Sequence, residues 1–336
     1  YLIQELGKLE PVHVINEADG SALNDRLGGK LFQALPTAAF DPLYERARGT
    51  RNYGYTFFEN ELSERSVRNA KRYDLIMAGS TWCRDRMLEK GIDNCEILIQ
   101  GIDPQRFYPI ACETSPDRFV IFSGGKFELR KGQDILLKAV RILQDKYPDV
   151  YLINCWYNMW PESIRQMTSS PYLDFAYRKN ASWAETMQRT YQDNGLDPDR
   201  ILTMELVPHH ELRTLFRQTD IGVFPNRCEG GTNLVLMEYM ACAKPVIATA
   251  ASGHQDILTE DNALQLRRLK TINIVDDDGA LIGRWKDPSL EELVARLEYA
   301  YHHRNALKKI GTQAGKDLQH FTWKRCAERL SKMMAG

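Results

Sequence analysis

The apolar positions of this chain recur in two alternating patterns. Short runs rich in β-branched and aromatic residues are separated by longer stretches in which apolar residues return every three or four positions. This alternation is typical of parallel strands joined by crossover helices, so the pattern predicts an α/β fold. The runs that predict strands are residues 12–16, 52–58, 75–80, 96–101, 118–125, 150–156, 201–207, 221–226 and 245–249.

The stretches between these runs indicate where the domains divide. Residues 132–148, GQDILLKAVRILQDKYP, have a broad apolar face typical of an amphipathic helix, and residues 288–335 are helical in pattern almost throughout. Residues 101–118 contain three prolines and no periodicity, which indicates a linker. We therefore expect a first lobe, a second lobe and a terminal helix, comprising residues 1–105, 106–320 and 321–336.

Composition narrows the class of protein without naming a function. A chain of 336 residues with 43% apolar content is typical of a globular protein with two domains. Its 44 basic and 45 acidic residues give a net charge of −1, so nothing global favours nucleic acid, and only a local patch would bind a membrane surface. The seven scattered cysteines without a C-x-x-C motif favour a reducing cytoplasm.

Targeting signals are missing from the pattern. No apolar segment approaches the roughly 20 residues that span a bilayer, and the first residues lack the basic and apolar regions of a signal peptide. The chain begins without Met, so we expect it to be a processed piece or part of a longer chain.

The first candidate site is a glycine turn in residues 122–137, FSGGKFELRKGQDILL. A buried-type strand runs into Gly124 and Gly125, and a helix is predicted to start near Gln133. Glycines let backbone N–H groups approach an anion closely, and a following helix N-terminus adds partial positive charge. This grammar is typical of a phosphate site.

Three basic side chains accompany this turn. Lys126 and Lys131 lie five positions apart, where their ammonium groups can converge on a diphosphate, and Arg130 adds a third cation. The alternative is that they are solvated lysines on an ordinary turn, which is the default unless a second feature supports the site.

The second feature is another glycine turn. The strand at 221–226 leads into RCEGGTN and then into a helix beginning around Thr232 or Asn233, either of which is a good N-cap. Two such turns at strand ends of one sheet predict a ligand crevice. Glu238 lies in the apolar run of that helix, where its carboxylate can meet ribose hydroxyls in the crevice or a buried Arg or Lys.

At this point the chain resembles the retaining glycosyltransferase family 4, which has the GT-B architecture of two Rossmann-like domains facing a cleft. The resemblance covers roughly residues 52–335. It depends on the segments LIMAGSTWCRDRMLEKGIDNCEILIQGIDPQRFYP, GGKFELRKGQDILL and FPNRCEGGTNLVLMEYMACAKPVIAT, with weaker matches in ASGHQDIL and FTWKRCAERLSKMM.

The resemblance implies roles for the charged residues. Lys126 stands where the family has Arg, and Lys131 matches the family's Lys; both would hold the donor diphosphate and stabilise the leaving group. Glu238 matches the glutamate that binds ribose, and Glu229 the one that contacts the donor sugar. Eight residues separate these glutamates instead of seven, so strict counting puts Gly230 at the first position. Either the turn bulges by one residue so that Glu229 still reaches, which we expect, or the sugar contact is made differently.

The same resemblance implies further donor-binding positions. Backbone groups of the second turn would help to bind phosphate or sugar, and Val207 lies near the loop that contacts the base. These positions are Gly124, Gly125, Val207, Gly230, Gly231, Thr232, Asn233 and Leu234.

Several other residues have two interpretations. His209 and His210 are interpreted as an exposed pair at a helix start, without a metal site. Trp156 can line the cleft, but packing is favoured, and the same holds for Trp285.

The first lobe is short. No glycine turn opens it, the family's histidine near the anomeric centre has no clear match, and part of the usual lobe is missing by comparison with the family. Glu17, Asp19 and Glu59 are candidates for cleft chemistry, although the interpretation as capping or surface acids is favoured.

With these observations, the resemblance implies an enzyme that transfers a glycosyl group from a nucleoside-diphosphate sugar to an acceptor hydroxyl with retention, without metal or cofactor. A UDP- or GDP-linked donor is favoured over an ADP-linked one. The acceptor would be a glycan, a lipid-linked molecule or a protein, and the location cytoplasmic, with a protein partner or the inner face of a membrane as options. The alternatives are an inactive nucleotide-sugar-binding subunit and a GT-B nucleotide-sugar epimerase. The sequence does not specify the sugar, the base, the acceptor or the oligomeric state.

Overall fold

The computed structural model describes residues 1–15, 27–111, 113–276 and 278–336, and contains two parallel β-sheets. The first sheet forms the first lobe. Its strands are β1 (Lys30–Leu35), β2 (Arg51–Thr56), β3 (Leu75–Ala78) and β4 (Cys95–Ile97). They pair in chain order and all run parallel. Helices α2 (Glu64–Ala70) and α3 (Thr81–Glu89) connect them and begin at the serine caps Ser63 and Ser80.

The second lobe is built on a six-stranded parallel sheet. Its strands are β5 (Phe119–Gly125), β6 (Val150–Trp156), β7 (Ile201–Met204), β8 (Ile221–Phe224), β9 (Val246–Thr249) and β10 (Leu264–Leu266). The order across the sheet is β10-β9-β8-β5-β6-β7, so β5 and β8 are central neighbours. The two glycine turns follow these two strands, and the topology therefore brings them to the same edge of the sheet.

Helices cover both faces of the second sheet. They are α4 (Gln133–Lys146), α5 (Pro161–Arg165), α6 (Trp183–Asp193), α7 (Leu212–Arg217), α8 (Leu234–Ala241), α9 (Leu290–His302) and α10 (Arg304–Leu318). One apolar cluster lies between the sheet and α4 and α9, and another between the sheet and α8 and α10. Because both faces are buried, the central strands are continuous apolar runs rather than alternating ones.

An antiparallel hairpin of the second lobe, β11 (Leu269–Val275) and β12 (Leu281–Pro288), packs against the first lobe. The Glu61 N–H donates to the Ile282 carbonyl at 2.8 Å. The Trp285 indole N–H donates to the Glu59 carbonyl at 3.0 Å, and the ring is only 3% exposed. Trp285 is therefore a packing residue between the lobes, as the favoured interpretation expected.

The two ends of the described chain pack together on the first lobe. Helix α1 (Leu2–Leu6) lies against α11 (Trp323–Ala335), and both share an apolar cluster with β2 and β3. The Tyr53 hydroxyl donates to the Met334 carbonyl at 3.2 Å. The last helix thus contacts the first sheet although it follows the second lobe in sequence.

The strand prediction is wrong at the beginning of the chain. Residues 11–15 form no regular structure, and residue 16 lies outside the described residues, as do Glu17 and Asp19. The apolar alternation there has no partner strand, and a strand without one leaves its backbone groups unpaired. The strand predicted at 96–101 ends already at Ile97.

Further differences between the predicted and the observed elements are one strand end in the second lobe and several strands that were not predicted. The strand predicted at 201–207 ends at Met204, and β1, β10 and the hairpin were not predicted. Trp156 is fully buried in the second-lobe core, which agrees with the packing interpretation. Across the described ranges, no helix combines the length and apolar character needed to cross a bilayer.

Candidate functional site

The first glycine turn closes tightly on the second. Gly132, the N-cap of α4, has a φ of 72°, and a Cβ there would lie 2.1 Å from the Pro225 carbonyl oxygen. Only glycine accommodates both the left-handed conformation and this approach. The Gln133 side-chain amide, through Nε2, donates to the Lys126 carbonyl at 2.6 Å and holds the loop over the helix start. The Lys126 side chain is exposed at this edge of the sheet.

The second turn is held from behind by a third segment. The Glu229 N–H donates to the Ser252 hydroxyl at 2.8 Å, and the Gly253 N–H donates to the Glu229 carbonyl at 2.9 Å. A Cβ on Gly253 would lie 1.7 Å from the Gly231 carbonyl oxygen, so the two chains touch. The turn ends at Asn233, whose φ is 64° and whose side chain caps α8, as the predicted helix start required.

Glu229, and not Gly230, presents a side chain at the first glutamate position. Its buried carboxylate lies 2.5 Å from Lys131 Nζ and 3.2 Å from Arg130 Nη1, and it accepts a bond from the Asn226 amide. The next residue, Gly230, packs against first-lobe backbone, where a Cβ would lie 2.5 Å from the Phe58 nitrogen.

The electrostatics of this cluster keep Glu229 ionised. Burial by itself would raise the pKa of Glu229, but Lys131 and then Arg130 outweigh it and lower the pKa to about 2. Burial also disfavours the charged form of Arg130, yet Glu59, Glu229 and Glu128 raise its pKa well above the ordinary value. A carboxylate held in this way can accept hydrogen bonds at neutral pH.

A cavity of about 300 Å³ opens onto this cluster and touches both lobes. The second-lobe lining contains seven residues from the predicted site: Gly125, Lys126, Lys131, Glu229, Gly231, Asn233 and Leu234. The first lobe contributes Phe57, Glu59 and Gln100. A second cavity of about 360 Å³ shares Gly125 and Lys126 and is lined with apolar and aromatic side chains near Val207.

The remaining predicted positions lie around these cavities without lining them. Gly124 is buried in β5, and the Gly230 N–H donates to the Glu59 carboxylate at 3.1 Å. The Thr232 hydroxyl donates to Met237 Sδ at 2.9 Å, so its side chain faces the core.

The buried carboxylate of Glu238 pairs with a histidine rather than with a buried Arg or Lys. Its Oε1 lies 2.7 Å from His209 Nε2, and the His209 ring packs against Phe107 with centroids 5.1 Å apart. Burial raises the pKa of Glu238, which the His209 hydrogen bond opposes, and the same bond raises the pKa of His209. His209 is therefore half-buried and ion-paired rather than fully exposed as expected, whereas His210 is exposed.

Glu59 is the functional candidate that the sequence interpretation undervalued. The favoured interpretation as a surface acid is wrong, because its carboxylate lies 3.1 Å from both the Gly230 nitrogen and Arg130 Nη1. The only sequence signal was its position just after a predicted strand. That signal does not tell which surface the strand end faces.

The described part of the chain contains no group of three or more His, Cys, Asp or Glu side chains arranged to hold a metal ion. The ionic chemistry of the cavity comes instead from Lys126, Lys131, Arg130 and the two glutamates, Glu59 and Glu229. Paired cations beside a glycine turn can bind a diphosphate, and a carboxylate can orient hydroxyl groups.

The chain belongs to the family glycosyl transferases group 1, whose sequence model matches residues 110–317. It is 27% identical over 243 residues to a D-inositol 3-phosphate glycosyltransferase of Paenarthrobacter aurescens (strain TC1), covering 70% of this chain and 50% of that protein. The chain thus spans about half the length of this relative.

Solved structures with the same fold confirm the GT-B architecture. HepE of Anabaena in complex with UDP-glucose has a TM-score of 0.60 at 16% identity, covering 85% of this chain and 72% of that one. A trehalose-6-phosphate synthase, studied for glycosyl transfer with retention, has a TM-score of 0.64 at 15% identity, covering 92% and 74%. At these identities the likeness shows the fold alone.

Proposed function

We propose that this chain binds a nucleoside-diphosphate sugar between its two glycine turns and transfers the sugar, with retention, to an acceptor hydroxyl. The observation that carries the proposal is the cavity lined by Lys126 and by the ion pair of Lys131 with Glu229. Family membership and the complex of the structurally similar HepE with UDP-glucose support it.

The diphosphate would lie at the first turn. The backbone at Gly125 borders both cavities, and the exposed Lys126 has room to approach an anion. Lys131 would have to share its charge between the phosphate and Glu229, 2.5 Å away. These cations would stabilise the negative charge that develops on the leaving diphosphate. The apolar cavity near Val207 would then receive the base.

The sugar would lie against Glu229 and the backbone of the second turn. In the proposed reaction the bond between the anomeric carbon and the diphosphate oxygen breaks, and the acceptor oxygen bonds to the same face of that carbon. The acceptor proton passes to the departing phosphate oxygen. No protein nucleophile or metal is needed for this sequence, and the ion-paired Glu229 is a hydrogen-bond acceptor rather than a base.

The test is isothermal titration with UDP, GDP and ADP, using the wild-type chain, Lys131→Met and Lys138→Met. Lys138 is an exposed lysine on α4, the helix that follows Lys131, and serves as the matched control. We expect one nucleotide to bind selectively, with affinity reduced about tenfold or more in Lys131→Met, as for the loss of a charge-assisted contact. No binding of any nucleotide, or equal affinity in all three proteins, would contradict the proposed donor site.

The reaction itself is tested by incubating the chain with the corresponding nucleotide sugar, with and without an acceptor, and following the anomeric proton by NMR. Transfer with the donor's anomeric configuration supports the proposal. Conversion of the donor into an epimer without an acceptor would favour the epimerase, and binding without turnover would favour a nucleotide-sugar-binding subunit.

A further inference from the structure

A first-lobe carboxylate is built into the second-lobe turn that carries Glu229. The Glu59 Oε1 accepts the Gly230 N–H and also lies 3.1 Å from Arg130 Nη1. The same Arg130 nitrogen lies 3.2 Å from Glu229 Oε2. Glu59 therefore contacts the turn directly at the Gly230 N–H. It also acts on the turn indirectly, through the Arg130 guanidinium that pairs with Glu229.

We infer that Glu59 is a positioning residue for Glu229: through Arg130 and the Gly230 N–H it orients the carboxylate that meets the donor sugar. This inference depends on the proposed function for the placement of a donor sugar against Glu229. The contacts themselves are independent of it.

The backbone of Glu59 is held in place as well as its side chain. The Trp285 indole N–H donates to the Glu59 carbonyl, so the hairpin of the second lobe fixes the backbone at this residue. The Glu59 side chain is 23% exposed and that of Arg130 is 14% exposed, so the pair is shielded from solvent. Such shielding makes the ionic contact stronger than an ordinary surface pair.

Arg130 is the element through which the effect passes. Its Nη2 lies 2.6 Å from Glu128 Oε1, and its Nη1 also donates to the Cys228 carbonyl at 3.0 Å. With Glu59 removed, Glu128, the Cys228 carbonyl and Glu229 remain as its partners. We expect Glu229 then to lie closer to Arg130 and to present its oxygens less well to the cavity.

The variant Glu59→Gln tests this inference, because an amide oxygen can still accept the Gly230 N–H while the charge beside Arg130 is lost. The matched control is Glu61→Gln. Glu61 is also a first-lobe acid paired with a second-lobe arginine, with its Oε1 2.8 Å from Arg284 Nη1, but it does not contact the turn.

The expected result separates sugar from nucleotide. In Glu59→Gln, the dissociation constant for UDP or GDP should stay within about twofold, while kcat for the donor sugar falls about tenfold, as for one lost charge-assisted contact. In an Arg130→Met background the further change to Gln at position 59 should have little effect, because the two residues act together. Wild-type-like kcat in Glu59→Gln, or an equal loss of nucleotide affinity, would overturn the positioning role.

A second measurement decides the matter if no donor is turned over. Hydrogen exchange of the segment 226–236 should be faster in Glu59→Ala than in Glu61→Ala, because only the former loses the Gly230 contact. Equal exchange in the two variants would overturn the inference. Absence of turnover in the wild-type chain would count against the proposed function alone.

Discussion

Acidification is expected to destabilise the protein through His254. This side chain is only 1% exposed, its Nδ1 lies 3.2 Å from the Thr249 carbonyl oxygen, and its Nε2 lies 3.5 Å from Asn233 Nδ2. A neutral ring satisfies both contacts by donating from Nδ1 and accepting at Nε2. Protonation would add a donor facing the Asn233 amide and a buried positive charge near Lys131.

The magnitude follows from the pKa. Burial is the largest cause that lowers the pKa of His254 from 6.5 to about 4, although Glu229 opposes it. The unfolded chain therefore binds a proton below 6.5 that the folded chain refuses until about 4. Stability from this group is complete above the unfolded pKa and is lost as pH falls toward 4. The difference of 2.5 pKa units corresponds to about 3 kcal/mol.

The assay is urea unfolding, followed by circular dichroism, at several pH values between about 7 and 4. We expect the wild-type chain to lose about 3 kcal/mol more than His254→Gln over this interval. The control is His13→Gln, which removes an exposed histidine outside regular structure. Protonation of Glu229 does not interfere with this measurement. Its pKa is lowered from 4.5 to about 2, so the stability that its charged form contributes is lost only below about pH 4.5. Parallel curves for the wild type and His254→Gln would refute this account of the buried ring.

Three further changes test the packing and charges of the site. Gly253→Ala should cost about 1–3 kcal/mol by overpacking, because the new Cβ would lie 1.7 Å from a backbone oxygen; an unchanged melting temperature would contradict this contact. Lys131→Met should raise the pKa of Glu229 and destabilise the fold by about 2–3 kcal/mol, since a buried carboxylate loses its nearest cation; an unchanged urea midpoint at neutral pH would argue against the pair. Glu238→Gln should let the pKa of His209 fall back toward 6.5, as followed by NMR of the imidazole protons; an unaltered titration would show that the hydrogen bond does not raise it.

The second lobe could be predicted well because its signals are local. Continuous apolar runs predict buried parallel strands, and the helix at 132–148 was expected within two residues of the observed Gln133–Lys146. The glycines of the two turns were recognised because close backbone approach and left-handed conformations need glycine. Lys126 and Lys131 were predicted from the first turn, and Glu229 from the family resemblance; all three line one cavity in the structure.

The contacts between distant segments could not be predicted in this way. Glu59 and Arg130 are 71 positions apart in the printed sequence, and the approach that pairs them depends on how two sheets pack. The Glu238 partner is His209 because α8 and the loop after β7 happen to face each other. The hairpin was missed although Asp278 and Gly279 form a typical turn pair, because the alternation of its half-buried strands is weak in a charged, polar stretch.

The sequence by itself determined the fold class, the two glycine turns and the residue types available for phosphate and sugar, because these follow from local periodicity and backbone sterics. Only the tertiary structure decided which charges meet. Whether a carboxylate becomes a surface acid, an ion-paired site group or a histidine partner depends on burial and on neighbours from remote parts of the chain, as Glu59, Glu229 and Glu238 show.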